Sequence, residues 1–157
     1  MRNYINENIT KYSDEELITE LNRYFNNLNG ISYPLDLDKI YYKKEWIING
    51  EPKGKDKAGC YVLSYKGKDM YVGISRGIFK RMKQHLSDNE KSATFKKKMQ
   101  EFKTKPENKA TIRKEIDVFT NGFKFRYVEI TDNYLLAMFE IYASMKLETF
   151  WNTFKTH

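Results

Sequence analysis

The chain has 157 residues and a mass of 18.8 kDa, with one cysteine and a formal charge of +7 from 28 basic against 21 acidic residues. That length is one domain, or one domain with an extension, long enough to bury an ordinary core, and a single cysteine excludes an intrachain disulfide and a cysteine-rich zinc site. Met1-Arg2-Asn3-Tyr4 leads into polar residues without a secretory pattern, and no apolar run reaches membrane length, so a soluble intracellular, cytoplasmic protein with no membrane partner is expected.

Ser13-Asp14-Glu15-Glu16 is a capping-box start. Leu17, Leu21, Tyr24, Phe25 and Leu28 follow as an apolar stripe ended by Gly30, which predicts a helix over Asp14 to Leu28. Beyond it, Asp36 to Asn49 reads as a short extended segment and Glu51 to Lys57 as a polar loop. Residues 1–57 are therefore expected to be an N-terminal extension packed on a second region, residues 58–157.

Gly59 to Tyr65 (GCYVLSY) and Met70 to Ile74 (MYVGI) are rich in β-branched and aromatic residues. With the turn-formers Lys66-Gly67-Lys68-Asp69 between them, they predict a β-hairpin carrying Tyr61 and Tyr71 on neighbouring strands. From Gly77 the pattern becomes helical, with Ile78, Met82 and Leu86 on one stripe. At about 100° per residue, Arg81 and His85 fall side by side at the rim of that stripe. Cys60, mid-strand, reads as a small buried apolar residue.

The basic excess is local. Arg76 to Lys114 holds thirteen Lys or Arg against four Asp or Glu, net +9, which leaves −2 for the rest of the chain. Phe95, Met99 and Phe102 lie at helical spacing while Lys96, Lys97 and Lys98 project elsewhere, predicting a basic amphipathic helix that ends before Pro106. With Lys80 and Lys83 on the preceding helix, these lysines read either as a solvated face or, beside a site that acts on phosphodiesters, as candidates for phosphate contacts that position a duplex and read no sequence.

Phe123 to Ile130 (FKFRYVEI) predicts a strand, and Asn133 to Met145 (NYLLAMFEIYASM) a mostly buried helix capped by Asp132. Glu140 is the only charged residue of that helix. A carboxylate there must be paired, hydrogen-bonded or bound to a cation, because burying it bare costs several kcal/mol. Glu140 is thus a metal-ligand candidate.

The ordered set Gly59-Cys60-Tyr61, Tyr71-Val72-Gly73, Arg81, His85 and Glu140 resembles the GIY-YIG nuclease family over Ala58 to about Phe154. Both tyrosines and the outer glycines are kept, while Cys60 and Val72 depart mildly in the middle positions. The resemblance implies an α/β domain with a small, mainly antiparallel three-stranded sheet flanked by helices, here preceded by a helical extension. It implies that Tyr61, Tyr71, Arg81, His85 and Glu140 form one site, with Asn152 where many members carry a late asparagine that would face DNA. It also implies divalent-metal-dependent endonucleolytic cleavage of DNA. Mg²⁺, or Mn²⁺, would be held by Glu140 and largely by water, since Mg²⁺ prefers oxygen ligands and keeps its hydration. Arg81 would take the scissile phosphate through its fork of donors. Tyr61 or His85 would be the general base; an unperturbed phenol, with a pKa near about 10, needs help to serve.

Compact size and the lack of a zinc finger lean toward a restriction-type or phage-encoded enzyme, and a homo-oligomer stays open. The alternatives are a non-catalytic DNA- or partner-binding module on the same scaffold, or a module acting on RNA.

Overall fold

The computed structural model of the chain describes residues 12–34, 54–85, 123–149 and 151–152, together with the backbone of 41–42, 45–48, 51–52 and 86. In chain order the elements are α1 (Asp14–Leu28), β1 (Tyr33–Pro34), β2 (Tyr41–Tyr42), β3 (Glu45–Ile48), β4 (Glu51–Pro52), β5 (Gly59–Tyr65), β6 (Lys68–Ser75), α2 (Ile78–Leu86), β7 (Phe123–Glu129) and α3 (Asn133–Lys146). The basic helix expected around Lys96, Lys97 and Lys98 lies outside the described residues.

The main sheet is antiparallel, with strand order β1-β7-β5-β6. It has four strands where three were expected. The fourth is β1, where Tyr33 pairs with Phe125 and Pro34 with Lys124. Two residues leave no alternation to read, and a proline fits only at such an edge, where its missing N–H is not needed. A second sheet, β2-β3-β4, falls in the expected extended segment and runs on into Glu51–Pro52, which reads as loop in the sequence.

Period-two alternation sorts the side chains of the main sheet onto two faces. On one, Tyr61, Leu63, Tyr71, Phe123 and Phe125 pack against Ile78, Phe79 and Met82 of α2. On the other, Cys60, Val62, Val72 and Val128 meet Leu21 and Leu28 of α1 and Leu135, Leu136 and Phe139 of α3. The N-terminal helix therefore shares a core with the sheet. Arg126 of β7 reaches across β5 to Asp69 of β6 in a paired contact, Nη1 to Oδ1 at 2.6 Å and Nη2 to Oδ2 at 2.9 Å.

Local chemistry sets the helix bounds. Ser13 and Glu16 close a reciprocal capping box on α1, and the Asp132 carboxylate accepts from the N–H groups of Tyr134 and Leu135 to start α3. The expectation that α3 is mostly buried is corrected. Tyr134, Met138, Ile141 and Met145 are 44–71% exposed, because only the face carrying Leu135, Leu136, Phe139 and Ala143 turns to the sheet and α1. Among the described residues, no helix is long and apolar enough to cross a membrane.

Candidate active site

The β5–β6 hairpin decides which side chains can meet. Its turn is two residues, Lys66 and Gly67, both at positive φ, so Tyr65 pairs with Lys68 and the turn is tighter than the four residues expected. A regular ladder from there would set Tyr71 opposite Val62, on the α1–α3 face. Instead the register runs from Ser64↔Asp69 to Leu63↔Tyr71 and leaves Met70 as an extra residue. This bulge flips the phase of β6, so Tyr71 opposes Leu63 and Gly73 opposes Tyr61 on the α2 face.

Both outer glycines of the two triplets are required by close approach. A Cβ on Gly73 would stand 2.5 Å from Tyr61 Cζ and Oη and 2.8 Å from Tyr71 Cε1, so the absent side chain is the floor on which both rings lie. A Cβ on Gly59 would lie 2.0 Å from the Val128 carbonyl oxygen in β7.

Tyr61 is fully buried, and its Oη lies 2.9 Å from His85 Nε2, the donor depending on the histidine tautomer. Burial pushes the Tyr61 phenol above its ordinary value, the neighbouring Tyr71 adds to this, and the Arg81 guanidinium, hydrogen-bonded to the same phenol, pulls the other way. Tyr71 is also raised, first by burial and then by the Glu140 charge, while Arg81 and a hydrogen bond with Tyr61 lower it. The four side chains Tyr61, Tyr71, Arg81 and His85 are thus one connected cluster. Arg81 Nη1 also donates to Gln84 Oε1 at 3.2 Å.

Glu140 sits on α3 at the edge of its buried face, and burial raises its carboxyl above the ordinary value. Among the described residues its carboxylate takes no hydrogen bond and no ion pair. Although α3 packs on the opposite face, β6 is the edge strand, and the Glu140 charge acts on both Tyr71 and Cys60. Among the described residues no cluster of three or more His, Cys, Asp or Glu side chains forms a metal cage. One unpaired, half-buried oxygen donor fits a hard cation that keeps most of its water, such as Mg²⁺ or Mn²⁺.

Asn152, expected to face DNA, is turned inward. Val72 N–H donates to its Oδ1 at 2.7 Å, its Nδ2 donates to the Val72 carbonyl at 2.8 Å, and Thr149 Oγ1 donates to the same Oδ1 at 2.8 Å. Trp151 N–H donates to the carbonyl of the bulged Met70 at 2.9 Å. Residues 151–152 therefore clip the free edge of β6 on either side of Tyr71. Lys80 and Lys83 are exposed on α2.

The start of α2 is held by a residue the sequence reading left in a polar loop. Asp56 accepts from Lys57 N–H at 2.8 Å, Phe79 N–H at 2.9 Å and Lys80 N–H at 3.0 Å. No local signal reveals this cap, because it reaches 23 residues along the chain to Phe79.

Residues 57–155, more than half of the chain, match the model of the GIY-YIG catalytic domain. The chain belongs to the GIY-YIG family. It is thereby an endonuclease of that family, and Gly59-Cys60-Tyr61 and Tyr71-Val72-Gly73 lie within the matched residues. Similar solved structures include two point mutants of the GIY-YIG N-terminal endonuclease domain of UvrC from Thermotoga maritima, bound to the catalytic divalent cation. They are 13% and 14% identical, each with a TM-score of 0.40, covering 65% of this chain and 89% of theirs. No curated protein matches the chain.

Proposed function

We propose that this GIY-YIG chain hydrolyses DNA phosphodiester bonds with a divalent metal held at Glu140. The reading is carried by one observation: a half-buried, unpaired carboxylate on α3 acts electrostatically on Tyr71, within the cluster of Tyr61, Arg81 and His85.

Phosphodiester hydrolysis needs an activated water, neutralisation of the growing charge on the non-bridging oxygens, and help for the leaving oxygen. The metal, when bound, supplies Lewis acidity to the phosphate and to the leaving oxygen. Arg81 holds the scissile phosphate with its planar donors and keeps the phenols polarised. Tyr71, 9% exposed where Tyr61 is fully buried, is the phenol that meets the attacking water.

Burial disfavours a free phenolate at Tyr61, so we assign it the role of relay and His85 that of base. With the histidine proton on Nδ1, Nε2 accepts the Tyr61 proton; Tyr61 accepts that of Tyr71, and Tyr71 accepts that of the water. Asn152 holds Val72 and with it the position of Tyr71.

The test is cleavage of supercoiled plasmid at low salt by wild type and Glu140→Ala, each with Mg²⁺ and with EDTA. The expected result is cutting by wild type with Mg²⁺ alone. Equal cutting in EDTA, or by Glu140→Ala, overturns the metal role. A discrete fragment pattern would mark a sequence-specific, restriction-type enzyme, and a smear a non-specific one.

A further inference from the structure

We infer that the open groove where β6 runs into α2 is the track for the sugar-phosphate backbone of the cut strand beside the scissile bond, with Arg76 and Lys80 as its phosphate contacts. This rests on the nuclease reading above and assigns it a subsite. The groove measures about 480 Å³, and its lining includes Asp56, Ile74, Arg76, Lys80, Arg81 and Gln84. Arg81 belongs both to this wall and to the tyrosine cluster, so a strand whose phosphate is held by Arg81 has the groove as its continuation.

The lining chemistry selects the backbone over the bases. Among the described residues no aromatic ring lines the groove, so these residues offer no stacking platform, and the volume suits a sugar-phosphate unit of one strand rather than a duplex. Among the described residues three cations face one carboxylate, and that carboxylate is spent. Asp56 takes three backbone N–H groups at the start of α2, leaving its charge matched to the positive end of the helix. Arg76 is exposed and donates through Nη1 to the Thr131 carbonyl at 3.4 Å, a long bond that a phosphate oxygen can replace at a gain. Among the described residues Lys80 has no carboxylate partner. Its backbone N–H is fixed by Asp56, so the base of the side chain is held while the ammonium stays available to solvent.

The experiment uses the full chain and a short DNA duplex carrying the mapped cut site, with Arg76→Ala, Lys80→Ala, the double variant and, as control, Arg23→Ala on α1. Expected are a KM rise of about tenfold in the double variant with kcat within about twofold of wild type. The slope of log affinity against log salt should fall by roughly 0.9 per lost contact, and Arg76→Lys should restore the first contact. A methylphosphonate one nucleotide from the cut should weaken wild type and leave the double variant unaffected. An unchanged KM and slope in a folded double variant overturns the groove and spares the nuclease. So does a fall in kcat alone. Salt-dependent binding and cleavage of an RNA duplex in preference to DNA overturns the DNA strand as occupant. Absence of duplex binding by wild type overturns both this inference and the reading beneath it.

Discussion

The hydroxyl of Tyr61 and Nε2 of His85, 24 residues apart in sequence, lie 2.9 Å from each other in the core between β5 and α2. Two groups that share one proton act as a unit, so their substitutions should not add. Tyr61→Phe and His85→Gln should each lower the single-turnover cleavage rate by about a hundredfold, within the usual range for proton transfer, and the double variant should be no slower than the worse single. A double-mutant cycle on cleavage rates checks this. Fully additive losses would show that the two side chains act separately.

The two triplet glycines should differ in what a methyl group costs. At Gly59 the obstacle is the Val128 carbonyl, which can yield only by parting β5 from β7. At Gly73 it is the tips of two aromatic rings. Gly59→Ala should therefore be the more damaging to stability, beyond the ~1–3 kcal/mol usual for overpacking, and Gly73→Ala should fall within that range while losing cleavage. Urea melts beside cleavage rates decide the order; a more stable Gly59→Ala protein contradicts it.

Asn152→Ala removes both clips on Val72. Two such bonds are worth roughly 1–3 kcal/mol in all. The loss should appear locally, as faster hydrogen exchange at the Val72 amide, and in catalysis, as a lower kcat with KM little changed. Val72 protection equal to that of wild type would separate Asn152 from the positioning of Tyr71.

Glu140 links metal, pH and stability. Its folded-state pKa is raised by burial, so its contribution to stability is fully present below its ordinary value, near pH 4, and is lost as pH rises through the higher folded value. Glu140→Gln removes that loss. In EDTA the variant should melt above wild type at pH 7, and the gap should close below about pH 4. Mg²⁺ should raise the wild-type Tm and leave that of the variant unmoved, and cleavage by the variant should fall by roughly a thousandfold, since Lewis-acid assistance is worth several kcal/mol. Thermal melts over pH with and without Mg²⁺ provide the check.

What could be read from the chain was what is encoded locally. The capping box and stripe of α1 predict Asp14–Leu28, which is the helix found, and β5 spans the expected Gly59–Tyr65. Glu140 stands out as a candidate because a lone charge in an apolar helix needs an explanation. What escaped is non-local: the Asp56 cap on α2, the two-residue β1, and the inward turn of Asn152 onto a strand 80 residues earlier. The exposed stripe on α3 escaped for another reason. Hydropathy reports which side chains avoid water, while burial depends on what the fold has to set against them.

The extra residue at Met70 makes the hairpin sensitive to whether the count of residues along β6 is odd or even. Lengthening the turn at Lys66–Gly67 adds chain beyond the last strand pair and leaves Tyr71 where it is. Adding one residue between Lys68 and Tyr71 with the bulge kept sends the Tyr71 ring through to the α1–α3 side, with every side chain's chemistry intact and the pair of phenols dissolved, whereas deleting Met70 closes the ladder without a bulge and keeps Tyr71 opposite Leu63. Two adjacent stretches of the same hairpin thus differ sharply in the insertions and deletions they can accept, a difference in evolutionary freedom that no comparison of residue types would disclose.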